Sequence, residues 1–326
     1  MSELRWNPVM REWVATATHR QDRTFFPPPG YCPICPTAEG GFPTEVPAPS
    51  YEYVVFENKF PSFRMPAPEP AVDAVELCPV MPATGVCEVV LYTPHHEGTL
   101  RDRPVREIER LVRVWQDRYA DLGSRPGIDY VFIFENKGEA IGVTLPHPHG
   151  QIYAFDFIPP RIGREVESEE QHHAITGTCL HCDLIAMERR DGRRIVAEND
   201  HFLAVVPFYA RYPYEVHVYP KAHHPSILGF RAAERLDFAR ILKTVMIKYD
   251  GLFGFSLPYM MVMHQAPTDG VDRPGSHVHV EFYPPNRTAT KLKFLAGCES
   301  GAGTFINDTL PEDKAAELRD LPFELD

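Results

Sequence analysis

The chain has 326 residues, 44% of them hydrophobic, and a formal net charge of −12 at pH 7. That apolar content suffices for one large core or two modest ones, while the acidic balance argues against a general polyanion-binding surface and so against a nucleic-acid partner. No apolar run approaches the roughly 20 residues that span a bilayer, and the opening residues lack a signal-peptide core, so the expectation is a cytoplasmic protein with no membrane partner.

Thirty-three prolines, about twice the usual share, predict many long, stiff loops. Seven cysteines include two tight pairs, Cys32-x-x-Cys35 and Cys179-x-x-Cys182, a spacing that in a reducing compartment favours metal ligands over disulfides. After the first pair come a strand-like run at 88–92, His95-His96, a helical pattern over 104–122, a strand at 130–134, and His147-Pro148-His149-Gly150-Gln151. After the second pair the order returns: a strand at 215–219, His223-His224, a helix over 232–249, a strand at 259–263, and His277-Val278-His279. The interval from His96 to His147 nearly equals that from His223 to His277, so the chain reads as a duplicated unit divided into residues 1–168 and 169–326.

Each helical pattern carries one apolar stripe: Val105, Ile108, Leu111, Val112, Trp115 and Tyr119 in the first, Phe238, Ile241, Leu242, Val245 and Tyr249 in the second. Such stripes cover one face of a sheet, and alternation in the short runs gives strands with unlike faces. The predicted fold class is α+β: two repeats forming a mainly antiparallel sheet covered by helices. Thiolates from a Cys-x-x-Cys pair with two distant imidazoles build a tetrahedral zinc site. Cys32, Cys35, His96 and His147 offer one such set, and Cys179, Cys182, His223 and His277 a second.

On a strand the side-chain period of two puts His147, His149 and Gln151 on one face, and Pro148 suggests a sheet edge. A neutral imidazole nitrogen attacks phosphorus well. His172-His173, with Glu167, Glu169 and Glu170 just before, read as a solvated loop, and His181 inside its cysteine knuckle reads as exposed.

The string His147-Pro148-His149-Gly150-Gln151 resembles the active-site string of the galactose-1-phosphate uridylyltransferases, the transferase branch of the histidine-triad superfamily. Hydrolases of that superfamily carry a third His where this chain has Gln151. The resemblance implies ping-pong transfer of a uridylyl group from UDP-glucose to galactose 1-phosphate, with His149 as nucleophile and Gln151 steadying the phosphoryl oxygens. It also implies histidine-triad-like repeats, a zinc on Cys32, Cys35, His96 and His147, and a homodimer with shared sites.

Further matches to the family's nucleotide pocket are Arg20 and Arg23, Phe56, Asn58 and Phe60 (where Lys59 replaces a frequent Asp), Asn136, and Thr144 in place of a Ser. Lys293, Phe294 and Glu299 resemble the hexose segment, which lacks the Tyr and Gln often found at Cys298 and Phe305. The second repeat leaves two readings open. Its cysteine pair resembles plant-type members, some of which are ADP-glucose phosphorylases, and favours a second zinc. Glu165, His264, His279 and Glu281 match the iron ligands of the enterobacterial and animal-type subgroup, which has His at the last position. The alternative activity is therefore a nucleotide phosphorylase or adenylyltransferase on the same scaffold.

Overall fold

The computed structural model describes residues 2–22, 26–28 and 30–326. Its centre is a nine-stranded sheet in the order β3-β5-β7-β6-β11-β12-β10-β9-β8. The strands are β3 (Val54–Glu57), β5 (Gly85–Leu91), β6 (Tyr130–Lys137), β7 (His149–Phe155), β8 (Ile195–Glu198), β9 (Phe202–Val205), β10 (Val216–Pro220), β11 (Tyr259–His264) and β12 (His279–Tyr283). Every neighbouring pair is antiparallel. The halves meet where β6 pairs with β11, Phe134 opposite Val262. A separate three-stranded sheet joins β1 (Ser2–Asn7), β2 (Glu12–Ala17) and β4 (Val80–Pro82).

The two predicted helices are α1 (Val105–Gly123) and α4 (Ala232–Phe253). They pack against each other and on one face of the sheet, burying Ile108, Leu111, Trp115, Phe238, Leu242 and Tyr249 with Val90, Ile152, Val218, Val280 and Phe282. Buried side chains of this size contribute roughly 1.5–3 kcal/mol each, so this face forms the main core and leaves the opposite face for chemistry. There, α2 (Pro160–Thr176) and α3 (Leu180–Asp191) lie over the second half, with Ile162 and Val166 of α2 reaching Tyr130 on the near edge of the first. The last helices are α5 (Gly297–Ala302) and α6 (Pro311–Arg319). No helix among the described residues is long and apolar enough to cross a membrane.

Three local expectations change. The strand bearing His149 is not an edge: β7 lies between β5 and β6. Pro148 stands one residue before β7, so its missing N–H costs the ladder nothing, and Gly150 pairs in register with Val90. His147 also precedes the strand and turns away from the face shared by His149 and Gln151. Third, His172 and His173 lie in the last turns of α2 rather than in a loop; the Ile162, Val166 and Glu169 spacing is a short buried stripe within an otherwise charged helix.

Candidate active site and metal clusters

Alternation along β7 buries Gly150, Ile152 and Ala154 and directs His149, Gln151 and Tyr153 to the open face of the first half. They border a cavity of about 350 Å³, together with Arg20, Phe56, Asn58, Phe60, Asn136 and Thr144. Residues scattered from 20 to 151 are thus collected at one place. Arg20 Nη1 donates to the carbonyl of Phe60 at 3.2 Å and to Ser62 Oγ at 3.0 Å, and Asn58 Oδ1 accepts from the Phe60 amide at 2.9 Å. Arg23 lies outside the described residues. The sequence reading missed Tyr31, Ile34, Glu45 and Tyr153 in the same cavity wall, which Lys59 also borders.

His149 Nδ1 sits 2.8 Å from the carbonyl of His147. A carbonyl only accepts, so Nδ1 carries the proton and Nε2 keeps its lone pair. Burial holds the pKa of His149 below the ordinary imidazole range, which keeps the ring neutral.

Cys32, Cys35, His96 and His147 place one ligand atom each within 4.8 Å of one another. Cys35 Sγ is 3.3 Å from Nδ1 of both His96 and His147. His147 is fully buried, and its Nε2–H donates to the Thr93 carbonyl at 2.9 Å, with the Tyr51 hydroxyl 3.1 Å away. That bond frees Nδ1 for an ion, the outer-shell arrangement that fixes a ligating imidazole. Tyr51 left no signal in the sequence because its partner is far along the chain. Burial and the neighbouring Cys32 thiol push the Cys35 thiol up to about 12, a cost that a bound cation offsets.

The second repeat copies this geometry. Cys179, Cys182, His223 and His277 also lie within 4.8 Å; His277 Nδ1 is 3.6 and 3.5 Å from the two thiols, and its Nε2–H donates to the Pro220 carbonyl at 3.0 Å. Each repeat therefore presents a first His to a thiol pair and a second His two residues on, since His279 Nδ1 likewise donates to the His277 carbonyl at 3.1 Å.

A third group, Glu165, His264 and His279, also converges within 4.8 Å. His264 Nδ1 approaches Glu165 Oε2 to 2.8 Å without meeting hydrogen-bond geometry. The second zinc set and the set matching the iron ligands are thus assembled in different places, so they are not exclusive. Glu281 borders this third group, 3.7 Å from His264 Nδ1 and 3.6 Å from His279 Nε2, and also pairs with Arg161 at 2.7 Å, Arg211 at 3.5 Å and His217 at 3.2 Å. This buried network, completed by Glu215 against His217 at 2.9 Å, was invisible in the sequence. His181 is buried rather than exposed, bonded to Glu169 at 2.9 Å, with its ring centroid 4.6 Å from that of His279 at a tilt of 34°; the first turn of α3 turns it inward onto the sheet.

The tail stands apart from the cavity. Lys293 Nζ donates to Glu299 Oε1 at 2.8 Å and to the Ile306 carbonyl at 2.5 Å, so Lys293 is buried in its own segment rather than a surface lysine. Phe294 is 72% exposed. None of the three borders the cavity of His149.

Comparison with known proteins places this geometry. The family model described as galactose-1-phosphate uridyl transferase, N-terminal domain, matches residues 1–159, and its C-terminal counterpart matches 165–325. A galactose-1-phosphate uridylyltransferase of Thermotoga maritima is 44% identical over the full length of both chains, and that of Haemophilus influenzae is 34% identical over 97% of this chain and 93% of its own. A solved uridylyltransferase superposes with TM-score 0.86 at 33% identity over 97% of each chain. An ADP-glucose phosphorylase from Arabidopsis thaliana superposes at 0.74 over 99% of this chain and all of its own, but at 24% identity it shares the fold alone. The chain belongs to the galactose-1-phosphate uridylyltransferase family.

Proposed function

We propose that this enzyme transfers the uridylyl group of UDP-glucose to galactose 1-phosphate through a covalent bond to His149 Nε2. The observation that carries the mechanism is the 2.8 Å bond from His149 Nδ1 to the His147 carbonyl, which leaves Nε2 unprotonated at the wall of the cavity. Nε2 attacks the α-phosphorus, the bond from that phosphorus to the bridging oxygen breaks, and its electron pair leaves with glucose 1-phosphate. The substituted ring is cationic, and Nδ1–H remains on the His147 carbonyl throughout. A phosphate oxygen of galactose 1-phosphate then attacks the same phosphorus and restores neutral His149. A sugar phosphate is a weakly basic leaving group, so no general acid is needed. Gln151 and Arg20 serve the non-bridging oxygens, Asn136 and Thr144 the phosphate path, and Phe56, Asn58 and Phe60 the nucleoside.

Cys32, Cys35, His96 and His147 would hold one zinc, and Cys179, Cys182, His223 and His277 a second; such ions would serve to fix the fold around these imidazoles. The buried first imidazoles and paired thiols fit that role. Glu165, His264 and His279 suit iron or another divalent ion, with Glu281 beside them and paired to Arg161 and Arg211. Elemental analysis should return two zinc ions per chain. Repeats of 1–168 and 169–326, with α2 crossing the join, a cytoplasmic setting and a homodimer in which Lys293, Phe294 and Glu299 serve the neighbouring subunit's hexose, belong to the same reading.

Incubation with UDP-glucose alone should release one glucose 1-phosphate per site and leave a chain heavier by one uridylyl group, and His149→Asn should do neither. A strong preference for ADP-glucose as donor would instead support the phosphorylase reading that the second cysteine pair favours.

A further inference from the structure

One ion pair in the cavity has no part in the transfer chemistry. Glu45 and Lys59 both border it, and Lys59 Nζ donates to Glu45 Oε1 at 2.9 Å. The pair ties two walls together. Glu45 ends the loop that carries Cys32 and Cys35, where its amide donates to the Pro33 carbonyl at 2.8 Å. Lys59 lies just past β3, in the segment bearing Phe56, Asn58 and Phe60.

With the side chains 62% and 30% exposed, such a bridge adds little stability. Its position on the cavity therefore asks for another account. Among the described residues no donor holds Glu45 Oε2, so the carboxylate keeps an acceptor face for a ligand.

The ligand's chemistry selects what that face meets. Phosphates are repelled by a carboxylate and belong beside Arg20, Gln151 and His149. The base has apolar surface to lie on, from Pro33, Ile34 and Phe60. Between base and α-phosphate comes the ribose, whose 2′ and 3′ hydroxyls are vicinal donors, and an ionised carboxylate is the side chain that accepts from both.

We propose that Glu45, braced by Lys59, receives the ribose hydroxyls of the nucleotide donor and makes the enzyme select ribonucleotide over deoxyribonucleotide sugars. Lys59 is a positioning residue: it sets the carboxylate's direction and offsets its charge next to the diphosphate. The inference rests on the transfer reading above.

The test is the first half-reaction, followed by adduct mass, with UDP-glucose and its 2′-deoxy and 3′-deoxy analogues. In the wild type, removing a hydroxyl should raise the half-saturating concentration about ten-fold, the scale of one hydrogen bond to a charged group. Glu45→Ala and Glu45→Gln should weaken UDP-glucose by about the same factor with the limiting rate within about two-fold, and Glu45→Ala should erase the difference between ribose and deoxyribose donors. Lys59→Met should raise the half-saturating concentration for UDP-glucose and leave the limiting rate unchanged. Zinc content and melting midpoint, equal to wild type, show that the variants are folded. A Glu45→Ala penalty that persists undiminished on both deoxy donors puts the carboxylate's partner on the hexose and overturns the proposal, as does no penalty at all. A wild type that forms no adduct overturns the transfer reading itself, whereas normal adduct without deoxy discrimination overturns the ribose assignment alone.

Discussion

In the proposed mechanism a single backbone carbonyl, that of His147, decides which nitrogen of His149 reacts. Because the proton is held on Nδ1, a Gly at 149 leaves a ring-shaped gap, and free imidazole should restore measurable turnover to His149→Gly but not to His149→Asn, as read by glucose 1-phosphate release. Glu135 behaves differently. It is buried on the helix side of β6, bonded by Tyr259 at 3.1 Å and by Tyr92, and burial raises its pKa to about 7. From about pH 4.5 to 7 the unfolded chain therefore loses this proton before the folded one does, so the group makes stability fall as pH rises through that window. Glu135→Gln should remove that slope, gaining about 2–3 kcal/mol over wild type at pH 8 relative to pH 5, measured by denaturant unfolding at both values. His149, Gln151 and the cysteine pairs were legible because their spacing is itself the signal. Tyr51, Glu45 and Glu135 were not, since each acts through a partner distant in sequence.

Among elements, the apolar stripes of α1 and α4 and the alternating strands were readable because one buried face imposes its period on the residues. The small β1-β2-β4 sheet was missed, its β2 being half-exposed with little stripe, and α2 was masked by its acidic run. Gly85 illustrates a requirement no pattern reveals: φ is +152°, and a Cβ there would stand 2.2 Å from the Ala154 carbonyl of the paired strand. Gly85→Ala should cost about 3 kcal/mol or more, seen as a lower denaturation midpoint, because β5 cannot move off β7 without disturbing the strand that bears His149. The two proposed zinc sites should separate cleanly. Cys32→Ser should lose one zinc and with it adduct formation, since His147 loses its anchor. Cys179→Ser should lose one zinc and melt earlier yet still form adduct, since its His277 serves the other half of the sheet.

At the scale of the molecule, the two halves use one plan differently. The first leaves its face open over His149, whereas α2 and α3 close the second over His279, beside the paired arginines and glutamates. In the homodimer proposed above, the exposed Phe294 and Leu295, which do not border the chain's own cavity, would complete the neighbouring subunit's site. If so, co-expressed His149→Asn and Phe294→Ala/Leu295→Ala chains, each weak alone, should recover about a quarter of wild-type turnover from the intact sites of mixed dimers; no gain over either parent would assign the segment another role. The covalent bond itself is tested most directly by trapping the enzyme with UDP-glucose, digesting it without acid and locating the uridylyl group. The account predicts a phosphorus–nitrogen bond at Nε2 of His149, visible as phosphorus coupling in ¹⁵N-histidine-labelled protein. A uridylyl group on any other residue, or full turnover with no protein-bound phosphorus, would contradict it.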